Sequence, residues 1–288
     1  MPTNRTVARN RIEPAEADDL HPGPWVDQHC HLDLGGRHLG EGPRADGVPT
    51  PGELVASAHA AGVVAMITVG TDVNDSAAGM RLADELDGVW ATAGVHPHEA
   101  DGGTDGLRGL LESGAAVAVG ECGLDHHYDH SAPEAQRRVF VEQIELANEL
   151  DLPLVIHTRS AWDETFELLD AVGTPRRTVF HCFTGGPDEA AGCVDRGAMV
   201  SISGIVTFPS AQDIRDAVIA TPLEHLMVET DTPFLAPVPH RGRPNRPELV
   251  ALVGAAVARL KGEEIGSVAA STSAAAAAFY GLDGLGLT

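Results

Sequence analysis

From Trp25 onward, short apolar runs rich in valine, isoleucine and alanine alternate with longer stretches whose apolar positions recur at helical spacing. Eight runs read as strands: Trp25 to Cys30, Val63 to Val69, Val89 to Val95, Ala116 to Glu121, Leu154 to His157, Thr178 to Phe183, Met199 to Ile205 and Leu226 to Asp231. The clearest helix is Pro133 to Leu150. Pro133 suits a first helical turn, and Val139, Phe140, Ile144, Ala147 and Leu150 share one face. Further helices are expected at Gly52 to Ala61, Asp75 to Leu86, Ala161 to Val172, Asp188 to Arg196, Asp213 to Ala220 and Pro247 to Leu260. Near-continuous apolar strands separated by helices predict a parallel sheet covered by those helices.

An open doubly wound sheet and a closed barrel both satisfy this alternation, so the polar residues at the strand ends must decide. They are His29, His31, Glu121, His157, His181 and Asp231, from the first, fourth, fifth, sixth and eighth strands. Closure sets the eighth strand beside the first and gathers every C-terminal strand end around one mouth. The expected fold is therefore an α/β (β/α)8 TIM barrel. Extra alanine-rich C-terminal helices, Glu263 to Phe279, are expected to pack outside it. Residues 1–24 carry mixed charge and several prolines without an apolar stretch, which predicts a flexible extension before a single hydrolase domain at 25–288.

His-x-His alone is a weak signal in a chain with 14 histidines. Here, however, side chains two apart on a strand share a face, so His29 and His31 point together while Cys30 points away. Polar residues ending apolar barrel strands are costly to bury unless paired or metal-bound. Four imidazoles and two carboxylates exceed what one tetrahedral ion needs, which points to two divalent ions. His29, His31 and Asp231 would hold one, His157 and His181 the other, and Glu121 would bridge them. No serine elbow or phosphate-cradling glycine loop competes, so hydrolysis by metal-activated water is the expected reaction.

The segments VDQHCHLD at 26–33, ITVGTD at 67–72, AGVHPHEA at 93–100, VGECGLD at 119–125, LPLVIHTR at 152–159, FHCFTGG at 180–186, VSISGIVTF at 200–208 and VETDTPFLAPVPHRG at 228–242 resemble, in order, those of TatD-family hydrolases of the amidohydrolase superfamily. The resemblance implies a barrel, a divalent-metal site with the same six residues as ligands, and deoxyribonuclease activity, commonly from the 3′ end. The alternative is hydrolysis of an amide, a lactone or a D-aminoacyl ester at the same site. Mg²⁺, Mn²⁺ and Zn²⁺ all remain open as the metal.

Neighbouring residues receive their own assignments. Asp231 is the expected proton acceptor, and Glu121 and His96 join it as catalytic candidates. His96 ends the third strand and could contact the scissile phosphate or protonate a leaving group. His98, beyond Pro97, is expected on the solvent side. Glu229 is expected to orient a ligand from behind, and Asp125 either to do the same or to anchor its loop. Arg159 and Arg241 stand where planar guanidinium groups could grip phosphate. The sequence departs from the family pattern at Arg243 and Arg246, where Lys and Glu are common, and at Ala275, where Asn is usual.

Composition narrows the partners. The formal net charge is −23, and Lys261 is the only lysine. Such a surface excludes broad basic binding of nucleic acid but permits a local grip on a DNA single strand or 3′ end. Cysteines 30, 122, 182 and 193 form no Cys-x-x-Cys pair and read as reduced thiols, and no apolar run approaches a bilayer span. A cytoplasmic enzyme without a membrane anchor or stable protein partner is expected. The acidic, lysine-poor composition also fits a halophilic source, with a GC-rich genome as the rival explanation. If salt adaptation is the reason, screening of self-repulsion will raise the unfolding temperature between dilute buffer and molar salt. Equal midpoints in the two would leave codon usage as the explanation.

Overall fold

The apolar runs form eight strands: β1 (Trp25–Cys30), β2 (Val63–Thr68), β3 (Val89–Ala93), β4 (Ala116–Asp125), β5 (Leu154–Arg159), β6 (Thr178–Phe180), β7 (Met199–Ile202) and β8 (Leu226–Val228). Each pairs in parallel with the next in chain order. The helices between and after them are α1 (Pro51–Ala60), α2 (Val73–Glu85), α3 (Leu107–Glu112), α4 (Pro133–Leu150), α5 (Trp162–Val172), α6 (Pro187–Asp195), α7 (Gln212–Ala220), α8 (Val250–Lys261) and α9 (Ile265–Tyr280). This computed structural model describes residues 23–33, 48–128, 130–282, 284–285 and 287, so the expected N-terminal extension lies, up to residue 22, outside the described residues.

The sheet closes where β8 ends. The Thr230 N–H donates to Asp27 Oδ1 at 2.8 Å and its hydroxyl to Asp27 Oδ2 at 2.6 Å. Backbone bonds then run from Asp231 N–H to the His29 carbonyl (2.9 Å) and from His31 N–H to the Thr232 carbonyl (2.8 Å). The result is the (β/α)8 barrel.

Strand alternation divides the apolar residues into two cores. Leu154, Ile156 and Phe180 point outward under the helices, whereas Val155 and Val179 join Val26, Ile67 and Met227 inside. Strand β1 breaks this alternation, because its register shifts between Asp27 and Cys30. Gln28 and His29 both meet interior groups as a consequence, while Cys30 turns outward and donates its thiol to the Ile67 carbonyl.

Two expectations need correction. The C-terminal helices do not simply pack outside the barrel: Phe279, Tyr280 and Leu282, at the end of α9, join the interior cluster. The Tyr280 hydroxyl reaches the side-chain oxygen of Gln28 at 2.8 Å, and Ser273 Oγ accepts the Val26 N–H at 2.9 Å. The helix closes the N-terminal end of the barrel, whose large apolar interior would otherwise meet water. The other expectation concerns the helix count, which grows by α3: no periodicity announced it, since six residues containing Gly109 are too short to show one.

The longer α8 carries its buried face against β1. At Gly254, an added Cβ would lie 2.1 Å from Trp25 Cη2, and Trp25 is fully buried. The glycine gives the indole its place. Gly254→Val is expected to destabilise the protein by about 1–3 kcal/mol or more through overpacking, measured as a lower urea midpoint.

Candidate metal centre

All six expected ligands converge at the C-terminal end of the barrel, although not all at strand ends. Glu121 lies well inside β4 and His157 inside β5, because these strands continue in register through Asp125 and Arg159. Their close approach needs Gly123 (φ +137°), where a Cβ would lie 1.9 Å from the His157 carbonyl oxygen. His181 follows β6, and Asp231 lies beyond β8. There the chain leaves the ladder, with Cys182 (φ 43°) and Asp231 (φ 58°) in the left-handed region. Cys182 is held in that conformation by its N–H, which donates to Glu229 Oε1 at 2.8 Å.

Glu121 divides the imidazoles between its two oxygens. Oε2 lies 3.4 Å from His29 Nε2 and 3.8 Å from His31 Nε2, and Asp231 Oδ1 completes that side at 3.5 Å from His31 Nε2. Oε1 faces His181 Nε2 at 2.7 Å, His157 Nδ1 at 3.1 Å and His96 Nε2 at 3.4 Å. The donor atoms of His29, His31 and Asp231 fall within 4.8 Å of one another, as do those of His96, Glu121 and His157.

The outer nitrogens tell which inner nitrogens carry lone pairs. His31 Nδ1 lies 3.1 Å from the Val69 carbonyl, which can only accept, so its Nε2 is left bare toward the site. His181 Nδ1 faces Glu229 Oε1 at 3.4 Å, and His157 Nε2 faces Asp125 Oδ2 at 3.5 Å. His96 is the opposite case. Its Nδ1 accepts the His98 N–H at 3.0 Å, so a neutral His96 carries its proton on Nε2 and is a donor toward the site. His29 is fully buried with no hydrogen-bond partner on either nitrogen, and its ring stacks on His181 at 3.8 Å. A buried imidazole without partners, among carboxylates and bare nitrogens, fits a divalent cation and is costly otherwise.

The charge balance reflects this crowding. Burial would raise the Glu121 pKa, but His181, His96 and the hydrogen bonds of His157 and His181 overcome it and hold the carboxyl well below its ordinary range. His181 is raised well above an ordinary imidazole: burial opposes the shift, while the charge and hydrogen bonding of Glu121 and Glu229 outweigh it. Against burial, Asp231 raises His31, and Asp125 and Glu121 raise His157. Burial drives His96 well below the ordinary value, against the pull of Glu121.

A family model described as TatD related DNase matches residues 26–281. The chain belongs to the TatD-related DNase family. It is accordingly a metal-dependent hydrolase. It is 38% identical over 266 residues to a Mycobacterium tuberculosis protein described as an uncharacterized metal-dependent hydrolase TatD, covering 89% of this chain and 98% of that one. A Klebsiella pneumoniae protein described as a 3′-5′ ssDNA/RNA exonuclease TatD is 36% identical over 241 residues, covering 80% of this chain and 92% of that one. The crystal structure of the TatD homologue YjjV from Escherichia coli K12 superposes with a TM-score of 0.80 at 30% identity, covering 91% of this chain and all of the other.

Within this family fold, Glu229 and Asp125 stand behind ligand candidates, and Asp125 also anchors the loop after β4 through the His127 and Tyr128 N–H groups. Glu229 is fully buried and bound to Ser201 Oγ (2.5 Å) and to Gln28 Nε2. Asp125 Oδ2 contacts His98 Nε2 at 2.8 Å, so His98 is not on the solvent side: the short turn after Pro97 folds it back over the mouth. Arg159 and Arg241 lie apart from the imidazoles, over the rings of Tyr128 (4.7 Å) and Phe208 (4.1 Å). Tyr128 was missed, although the run His126-His127-Tyr128 directly after β4 is dense in rings. All four cysteines are free, and among the described residues no helix is long and apolar enough to cross a membrane.

Because His31, His157 and His181 hold protons above the ordinary imidazole range in the metal-free protein, protons compete with the cation. Zn²⁺ or Mn²⁺ affinity is expected to fall as pH drops from 8.5 through 6.5. Calorimetry should show more protons released per ion at the lower pH. A flat affinity over that window would contradict the assignment.

Proposed function

We propose that this enzyme shortens single-stranded DNA from its 3′ end by hydrolysing phosphodiester bonds at a two-metal site. The observation that carries the two-metal reading is the division of imidazoles by Glu121, with His29 and His31 on one oxygen and His157 and His181 on the other. His29, His31 and Asp231 would hold one ion, His157 and His181 the other, with Glu121 available to both, and the described activity of the Klebsiella relative supports the substrate. Divalent cations held there acidify water and neutralise charge on the phosphodiester.

The chain's own residues do the rest. Asp231 accepts the proton of the attacking water, since its carboxylate has one oxygen facing the His29–His31 pair. His96 donates from Nε2 to the departing or non-bridging oxygen, in keeping with its tautomer. Asp125 and Glu229 orient His157 and His181. Arg159 and Arg241 meet phosphates along the rim, where guanidinium geometry suits two oxygens at once. The four free cysteines favour a cytoplasmic setting.

Metal-loaded protein incubated with 5′-labelled oligonucleotides is expected to produce a ladder shortening from the 3′ end and to release 5′-mononucleotides. Asp231→Asn should lower kcat by about 100-fold or more while circular dichroism stays unchanged. No shortening with Mg²⁺, Mn²⁺ or Zn²⁺ would rule the nuclease reading out.

A further inference from the structure

Beside the metal centre lies a group of rings that catalysis does not use. Tyr128 follows β4 and is 43% exposed. His130 stacks against its ring at 5.6 Å with 29° between planes, the Arg159 guanidinium lies over it at 4.7 Å, and His98 meets it edge-on at 5.9 Å. The turn that carries Tyr128 is anchored to the site by one carboxylate. Asp125 Oδ1 accepts the N–H groups of His127 (2.8 Å) and Tyr128 (3.0 Å), while Oδ2 faces His98 at 2.8 Å and His157 at 3.5 Å. The same aspartate thus orients a ligand candidate and fixes an exposed aromatic shelf beside it.

We infer that Tyr128, with His130 and Arg159, is a nucleobase-stacking subsite for the base adjoining the scissile phosphate of a single strand. The inference rests on the nuclease reading above and specifies its substrate contact. With a formal net charge of −23, the protein cannot draw a polyanion by long-range attraction. Stacking needs no net charge, tolerates any base, and is available only where the base has left a duplex. Phe234, also 43% exposed, stands after β8 with its ring 6.3 Å from that of His31, so a second aromatic borders the mouth on the side away from β4.

The test uses the full-length metal-loaded enzyme and an oligothymidylate ending in 2-aminopurine, with a phosphorothioate at the terminal linkage to slow turnover. Binding is expected to quench the 2-aminopurine fluorescence. Tyr128→Phe should keep both affinity and quenching. Tyr128→Leu, which retains bulk but not the ring, should lose the quenching and weaken binding about 10-fold, with unchanged metal content. An abasic terminus should bind the wild type as weakly as the 2-aminopurine end binds Tyr128→Leu. Wild-type affinity and quenching in Tyr128→Leu would overturn the stacking subsite while leaving the nuclease reading intact. Loss of metal from that variant would also overturn it, making Tyr128 a support for His157. A wild-type enzyme that neither binds nor cleaves any oligonucleotide would remove both readings.

Discussion

Closure of β8 onto β1 is the constraint on which the site depends. Asp27, fully buried, accepts both the N–H and the hydroxyl of Thr230, and the next backbone bonds across the seam involve His29, Asp231 and His31 themselves. An open sheet would leave His29 and His31 on one edge and Asp231 on the other, with Glu121 facing neither pair. The seam bonds therefore do two things at once: they satisfy buried backbone groups and they set the spacing of one side of the metal centre. Most barrel seams could be closed by a regular ladder. Here a side chain takes part of that work, because β8 ends at Val228 and the chain turns left-handed at Asp231.

The second constraint is the burial of so many polar groups around Glu121. Burying unpaired imidazoles and carboxylates costs several kcal/mol each unless they find partners. Behind the ligands, the Val69 carbonyl meets His31, and the carboxylates of Asp125 and Glu229 face His157 at 3.5 Å and His181 at 3.4 Å. Glu229 is in turn fixed by Ser201 and Gln28, and Gln28 by Tyr280 from the helix that plugs the opposite end of the barrel. A hydrogen-bonded chain therefore runs through the barrel interior from α9 to Glu229, whose carboxylate faces His181 at 3.4 Å. The inward nitrogens of His157 and His181 crowd onto Glu121, while both ring nitrogens of buried His29 lack a hydrogen-bond partner, a departure from good packing that a cation at the site would relieve.

Charge acts on two scales. Over the whole surface the excess of carboxylates repels a polyanion. At the mouth, Arg159 and Arg241 are pinned over Tyr128 and Phe208, which orders cationic groups that would otherwise sample many rotamers. Short-range contacts at the mouth, rather than the general field, are what this surface offers a polyanion.

How much of this could be read in the chain follows from the range of each interaction. Period-two alternation put His29 and His31 on one face, and the α4 boundaries, Pro133 and Leu150, were legible from a proline and a row of apolar residues. Local pattern and motif order together determined eight strands, a parallel barrel and a metal-dependent hydrolase, because each of these is encoded within a few residues of chain. Only the tertiary structure decided that β4 and β5 run past Glu121 and His157, that β1 shifts register before His29, and that His98 folds back onto Asp125. It alone decided that α9 plugs the barrel and that Glu121 splits the imidazoles between its oxygens. Those facts depend on contacts between residues tens to hundreds of positions apart. Their register is set by packing and hydrogen bonding across strands, which no local periodicity records.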